Sequence, residues 1–132
     1  MTKQILQPAG WAAPRGYANG VAASGRQVFV AGQIGWNERC EFDSDDFIAQ
    51  VRQALLNVRA VLAEAGAAPE HIVRMTWYLV DKREYLARGR EVGQAYREVL
   101  GRDYGIAMSA VQVSALMEDR AKVEIEVTAV VP

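Results

Sequence analysis

The chain has 132 residues, 15 Lys and Arg against 16 Asp and Glu, a formal net charge of −1 and a pI near 5.8. No run of basic residues can neutralise a phosphate backbone, which argues against nucleic-acid binding, and no apolar stretch approaches the ~18 residues of a membrane-spanning helix. Cys40 is the only cysteine, so an internal disulfide is impossible, as expected for a protein of the reducing cytoplasm.

The length predicts one domain over residues 1–132, with 1–15 as an N-terminal loop segment rich in turn formers and lacking the apolar core of a signal peptide. A strand is predicted from Tyr17 to Ala23 and a second from Gln27 to Gln33, separated by a turn at Gly25. On the second, Val28, Val30 and Gly32 share one face, with Phe29 and Ala31 on the other. Gly35 to Arg39 is predicted as a loop. Phe47, Val51, Ala54, Leu55, Val58 and Leu62 recur at helical spacing, with Asp43 or Ser44 able to cap the helix and Gly66 able to end it. His71 to Val80 is predicted as a strand with Val73, Met75, Trp77 and Leu79 on one face and Ile72, Arg74, Thr76 and Tyr78 on the other. A second helix is expected from about Lys82 to Leu100, weakened by Gly89 and Gly93. Ala107 to Val113 and Val123 to Val131 supply two final strands.

The order β-β-α-β-α-β-β gives an α+β fold, a sheet with two helices on one face. In the last strand Val123, Ile125, Val127 and Ala129 form the row that helices cover. Lys122, Glu124, Glu126 and Thr128 form the other, and Met108, Ala110, Gln112, Thr76 and Tyr78 are expected beside them on neighbouring strands. Such a half-apolar second face suits subunit association, with polar groups gathered between subunits.

Five segments in order carry a family resemblance. Arg15-Gly-Tyr-Ala-Asn-Gly-Val21, Val28-Phe-Val-Ala-Gly-Gln-Ile34, Gln53-Ala-Leu-Leu-Asn-Val58, Ala110-Val-Gln-Val113 and Val123-Glu-Ile-Glu126 resemble the Rid (YjgF/YER057c/UK114) family. The resemblance implies a chorismate-mutase-like fold with a mixed sheet, a homotrimer, and small-molecule clefts between subunits. One histidine and one cysteine cannot make a typical zinc site, so no metal or cofactor is expected, and the charge and hydropathy patterns point to no nucleic-acid or membrane partner. Family deaminases hydrolyse reactive imines and enamines. Carried over, Tyr17 and Glu124 match a tyrosine and a glutamate of the cleft, the tentative catalytic pair, and Gly32 matches a glycine whose backbone faces the ligand. Met108 stands where deaminases carry an arginine, Ala110 where a cysteine is frequent and Gly93 where an asparagine is frequent. Methionine cannot grip a carboxylate as a guanidinium does. The site is therefore expected to hold Tyr17, Gly32, Met108, Ala110, Gly93 and Glu124, with Trp36 as a possible edge, on one side of the sheet and without a fixed cation.

Two classes of function follow. The first is a trimeric binder of, or enzyme for, a different small metabolite, lacking the family's imine deaminase activity. The alternative is an imine or enamine deaminase with altered substrate; the family's association with ribonuclease activity is a third reading, disfavoured by the acidic pI. His71, the only histidine, is expected at the surface, Cys40 as an incidental thiol, and the mixed charges of 81–84 and 88–91 as solvated surface.

Overall fold

The computed structural model describes residues 3–132. Strand β3, Arg26–Ile34, pairs antiparallel with β6, Val123–Val131, which pairs antiparallel with β4, Ile72–Leu79. Strand β5, Ala107–Gln112, lies parallel to β4 at the far edge. The mixed sheet has the order β3-β6-β4-β5, and β1, Lys3–Leu6, forms a separate pair with β2, Gly20–Ala23.

The expected N-terminal loop thus contains a strand. Its residues carry no turn signal, and their partners lie beyond the Pro- and Gly-rich segment that follows. The strand expected from Tyr17 begins only at Gly20, although Ala18 forms an isolated bridge to Ala107.

Alternation accounts for the main core row, in which Val123, Ile125, Val127 and Ala129 are all buried. Two bulges modify the pattern. Between Ile72 and Arg74 the β4–β6 register shifts, so one extra residue turns Ile72 to the buried side with Met75, Trp77 and Leu79. Strict alternation had placed Ile72 with Arg74. A second shift, between Val30 and Gln33, falls at Gly32.

Helix α1, Phe47–Glu64, buries Val51, Ala54, Leu55, Val58 and Leu62 completely. Its N-cap is Asp46, not Asp43 or Ser44. The Asp46 carboxylate accepts from Ala49 N, while Ser44 Oγ accepts from Asp46 N and Asp43 accepts from Asn37. Gly66, at φ 68°, ends the helix in the left-handed conformation. Ala49 N–H and the Arg88 guanidinium hold the Asp46 carboxyl below its ordinary range. A depressed folded pKa stabilises at pH above the unfolded value and is lost as pH falls through the folded one. Asp46→Ala is expected to cost about 1 kcal/mol at neutral pH, and less in acid. Thermal denaturation at the two pH values measures it.

The second predicted helix divides at Arg88 into α2, Lys82–Ala87, and α3, Gly89–Leu100. Val92, Ala95, Tyr96 and Val99 face the core from α3. One buried polar side chain ties two loops to α1. Gln50 Nε2 donates to Ser44 O and Arg120 O at 3.1 and 3.0 Å, and its Oε1 accepts from Lys122 N at 2.8 Å. Gly35 lies directly against this residue. No helix among the described residues is long and apolar enough to cross a membrane.

Candidate functional site

The bulge in β3 positions the first group. Glu124 pairs with Tyr78 on β4 and Ile34 on β3, and its carboxylate lies over Gly32, where a Cβ would collide with it. A side chain at position 32 would push the Glu124 carboxylate out of this place. On the same face Tyr78 Oη donates to Glu126 Oε1 at 2.5 Å, which with desolvation raises the Tyr78 pKa. A shallow cavity of about 410 Å³ lies beside them, lined by Phe29, Ala31, Arg74, Thr76, Glu126 and Thr128. Phe29 is 71% exposed there, a large apolar side chain on a sheet face with no helix above it.

The second group lies elsewhere. Met108 pairs with Met75 and Ala110 with Trp77, so both belong to the helix-covered side of the sheet, and Met108 packs against the core. They line a cavity of about 380 Å³ with Arg15, Tyr17 and Tyr85. An adjoining cavity of about 240 Å³ shares Arg15, Tyr85 and Met108 and adds Gly93, Arg97 and Tyr104. Burial raises the Tyr85 pKa and keeps its phenol neutral. Tyr104 stacks on Tyr96 at 5.4 Å, and its hydroxyl contacts Arg97 Nη1 at 3.4 Å.

The structure therefore brings Tyr17, Met108, Ala110 and Gly93 together, and separately Gly32 with Glu124. It corrects the expectation that Met108 and Ala110 share Glu124's face. The cause is the parallel register of β5 on β4, which aligns Met108 with inward-facing Met75 rather than with Thr76. It also corrects the expectation of a cleft without a cation, since Arg15 and Arg97 border Met108. Sequence reasoning missed both. Arg97 follows Gly93 by four residues, the spacing that puts two positions on one helix face, and that signal was present.

Trp36 packs against Phe42 at 5.8 Å, and its carbonyl accepts from Asn57; it lines neither cavity. His71 Nδ1 accepts from Ala68 N and closes the turn before β4. Cys40 is exposed. Among the described residues no group of three or more His, Cys, Asp or Glu gathers as a metal site.

Residues 9–131 match the family model described as endoribonuclease L-PSP. A RutC family protein of Synechocystis is 34% identical over 134 residues, covering 100% of this chain and 99% of the relative. The 2-iminobutanoate/2-iminopropanoate deaminase of Salmonella typhimurium is 32% identical, covering 98% of each. The crystal structure of a Rid family protein of Yersinia pestis superposes with a TM-score of 0.86 at 32% identity, covering 99% of this chain and 100% of that one.

Proposed function

This chain belongs to the endoribonuclease L-PSP family, the Rid or YjgF/YER057c/UK114 proteins, and from that premise we propose that it is an imine or enamine deaminase whose active cleft is shared between subunits of a homotrimer. The observation that carries the reading is the separation of the two groups. Glu124 with Gly32 lies on the open sheet face, while Tyr17, Met108 and Ala110 lie at the helix-covered edge. No single copy can close both around one small molecule. A neighbouring copy that lays its open face against this edge can.

The open face suits that contact. Phe29 and Val111 are exposed there, at 71% and 44%, and their burial would favour association. The similarity to the Salmonella deaminase supports hydrolysis as the chemistry. The cations beside Met108 remove the electrostatic reason for expecting none.

In this reading Glu124 takes a proton from a water as its oxygen adds to the imine carbon. The nitrogen takes up that proton from Glu124 and a second from the added hydroxyl, and the C–N bond breaks. Ammonia leaves, and the carbon becomes a carbonyl. The Tyr17 hydroxyl holds the substrate from the other side of the cleft.

Light scattering at micromolar concentration is expected to give three times the 14.5 kDa chain mass. An amino-acid oxidase that generates imines in situ, with ammonia and imine followed together, is expected to show accelerated imine decay when the pure protein is added. A monomer across the concentration range would overturn the shared cleft. Unchanged decay across small, branched and aromatic imines would leave a binding protein in place of an enzyme.

A further inference from the structure

The cleft beside Met108 has an unusual balance of charge. Its two adjoining cavities are bordered by two guanidinium groups, Arg15 and Arg97, and by no carboxylate. Neither arginine forms an ion pair among the described residues. By contrast Arg88, between α2 and α3, bridges to Asp46, Glu84 and Glu91, and Arg52 on α1 bridges to Glu98. The half-buried Arg97 guanidinium is positioned instead by Tyr104, at 3.4 Å.

Gly93 makes that position available. A Cβ added there would stand 3.0 Å from Arg97 Nη1, with no other atom closer. A Cβ at position 93 would press the end of the Arg97 side chain aside by a few tenths of an ångström, and a branched side chain would press it further. The walls around it are apolar and aromatic. Met108, Tyr85 and Trp77 line the cavity, and the Trp77 and Tyr85 rings meet edge to face at 5.9 Å. Trp77 also carries a buried indole N–H with no hydrogen-bond partner, an unmet donor that is costly to leave so.

We infer that this cleft binds a carboxylate carried on an apolar or aromatic body, with Arg97 and Arg15 gripping the carboxylate and Met108, Tyr85 and Trp77 receiving the body. Gly93 is a specificity-determining position because it leaves room for the Arg97 guanidinium. The planar fork of a guanidinium matches a carboxylate with two parallel hydrogen bonds. A thioether and two aromatic rings supply contact area that a two- or three-carbon acid cannot use. The inference rests on the shared-cleft reading only in its assignment of this ligand as the substrate; binding itself does not require catalysis.

The experiment is calorimetry on the assembled protein with probes that cannot be hydrolysed. 3-Phenylpropanoate is expected to bind at least tenfold more tightly than acetate and than phenethylamine, which keeps the ring and reverses the charge. Inorganic phosphate separates a carboxylate site from a general oxyanion site and is expected to compete weakly. Arg97→Gln is expected to weaken 3-phenylpropanoate about tenfold or more and to leave phenethylamine unchanged. Gly93→Val, which forces the guanidinium away while keeping its charge, is expected to weaken it in the same direction. Arg15→Gln is expected to have a smaller effect, because that side chain is exposed. Thermal melts of each variant show that the fold persists.

Equal binding of phenethylamine and 3-phenylpropanoate would overturn the inference. So would unchanged binding in a folded Arg97→Gln, or phosphate as the tightest of the probes. Absence of hydrolysis in the oxidase assay would leave this result standing. Loss of carboxylate binding with hydrolysis intact would overturn only the assignment made here.

Discussion

Gly35→Ala is expected to lower the melting temperature by roughly 10 °C or more, a loss of about 3 kcal/mol. A Cβ at this position would lie 2.5 Å from Gln50 Cβ and 2.6 Å from Gln50 Cα. The second of these is backbone in the first turn of α1, so no rotamer change relieves it. The strand end or α1 must shift instead. A shift there also disturbs the three hydrogen bonds by which Gln50 holds Ser44, Arg120 and Lys122, and a buried amide left unpaired adds about 1–3 kcal/mol. Gly66→Ala provides the comparison. It has nothing within 4 Å and suffers only from its φ of 68°, so its loss is expected to be about 1 kcal/mol. Thermal denaturation of both decides the matter; a melting point for Gly35→Ala within two or three degrees of the parent would refute the steric argument.

Glu124→Gln is expected to reduce imine hydrolysis by about 10²–10⁴-fold while leaving the fold and assembly intact. The amide keeps the shape of the carboxylate over Gly32 and cannot take a proton from water. Ala110→Trp is expected to be inactive for another reason, because an indole at this exposed strand position fills the cavity beside Tyr17 and Met108. The two defects lie in different halves of the proposed cleft. Co-expressed, they are expected to restore part of the activity. Where a Glu124→Gln copy lends its intact helix-side edge and an Ala110→Trp copy lends its intact Glu124, one cleft has both halves. Co-purified mixed assemblies with no more activity than either parent would refute the shared cleft, whatever the assembly mass. Hydrolysis retained in Glu124→Gln alone would remove that residue from the chemistry.

Much of the fold is legible from periodicity. Phe47 to Leu62 identify α1, and Val123 to Ala129 identify the buried row of β6, because each pattern is set by local geometry and contact with a single core. The departures have identifiable causes. Ile72 changes sides because a bulge adds one residue, a feature that alternation does not encode. Asp46 rather than Asp43 or Ser44 caps α1 because four polar candidates stand together and the surrounding hydrogen bonds decide among them. The site was less legible. The residues carried over by resemblance are present, but their grouping depends on how β5 registers against β4, a long-range pairing. Arg97 escaped notice because its importance comes from an absent side chain at Gly93 and from the proximity of Met108 on a separate strand.

The sheet order imposes a schedule on synthesis. Strand β6 lies between β3 and β4, yet it follows both in the chain. As the polypeptide leaves the ribosome, β4 and β5 can pair across α2 and α3, and α1 can form. Strand β3 has no partner in this sheet until β6 emerges, from residue 123 onward. For that interval its alternating Val28, Val30 and exposed Phe29 present an open edge, the kind of surface that nascent chains pair through wrongly. Ribosomes translating one message place several such edges close together. The strand that completes each subunit's sheet is thus the last to be made, and a pause in translation before residue 123 would lengthen the most aggregation-prone stage of its life.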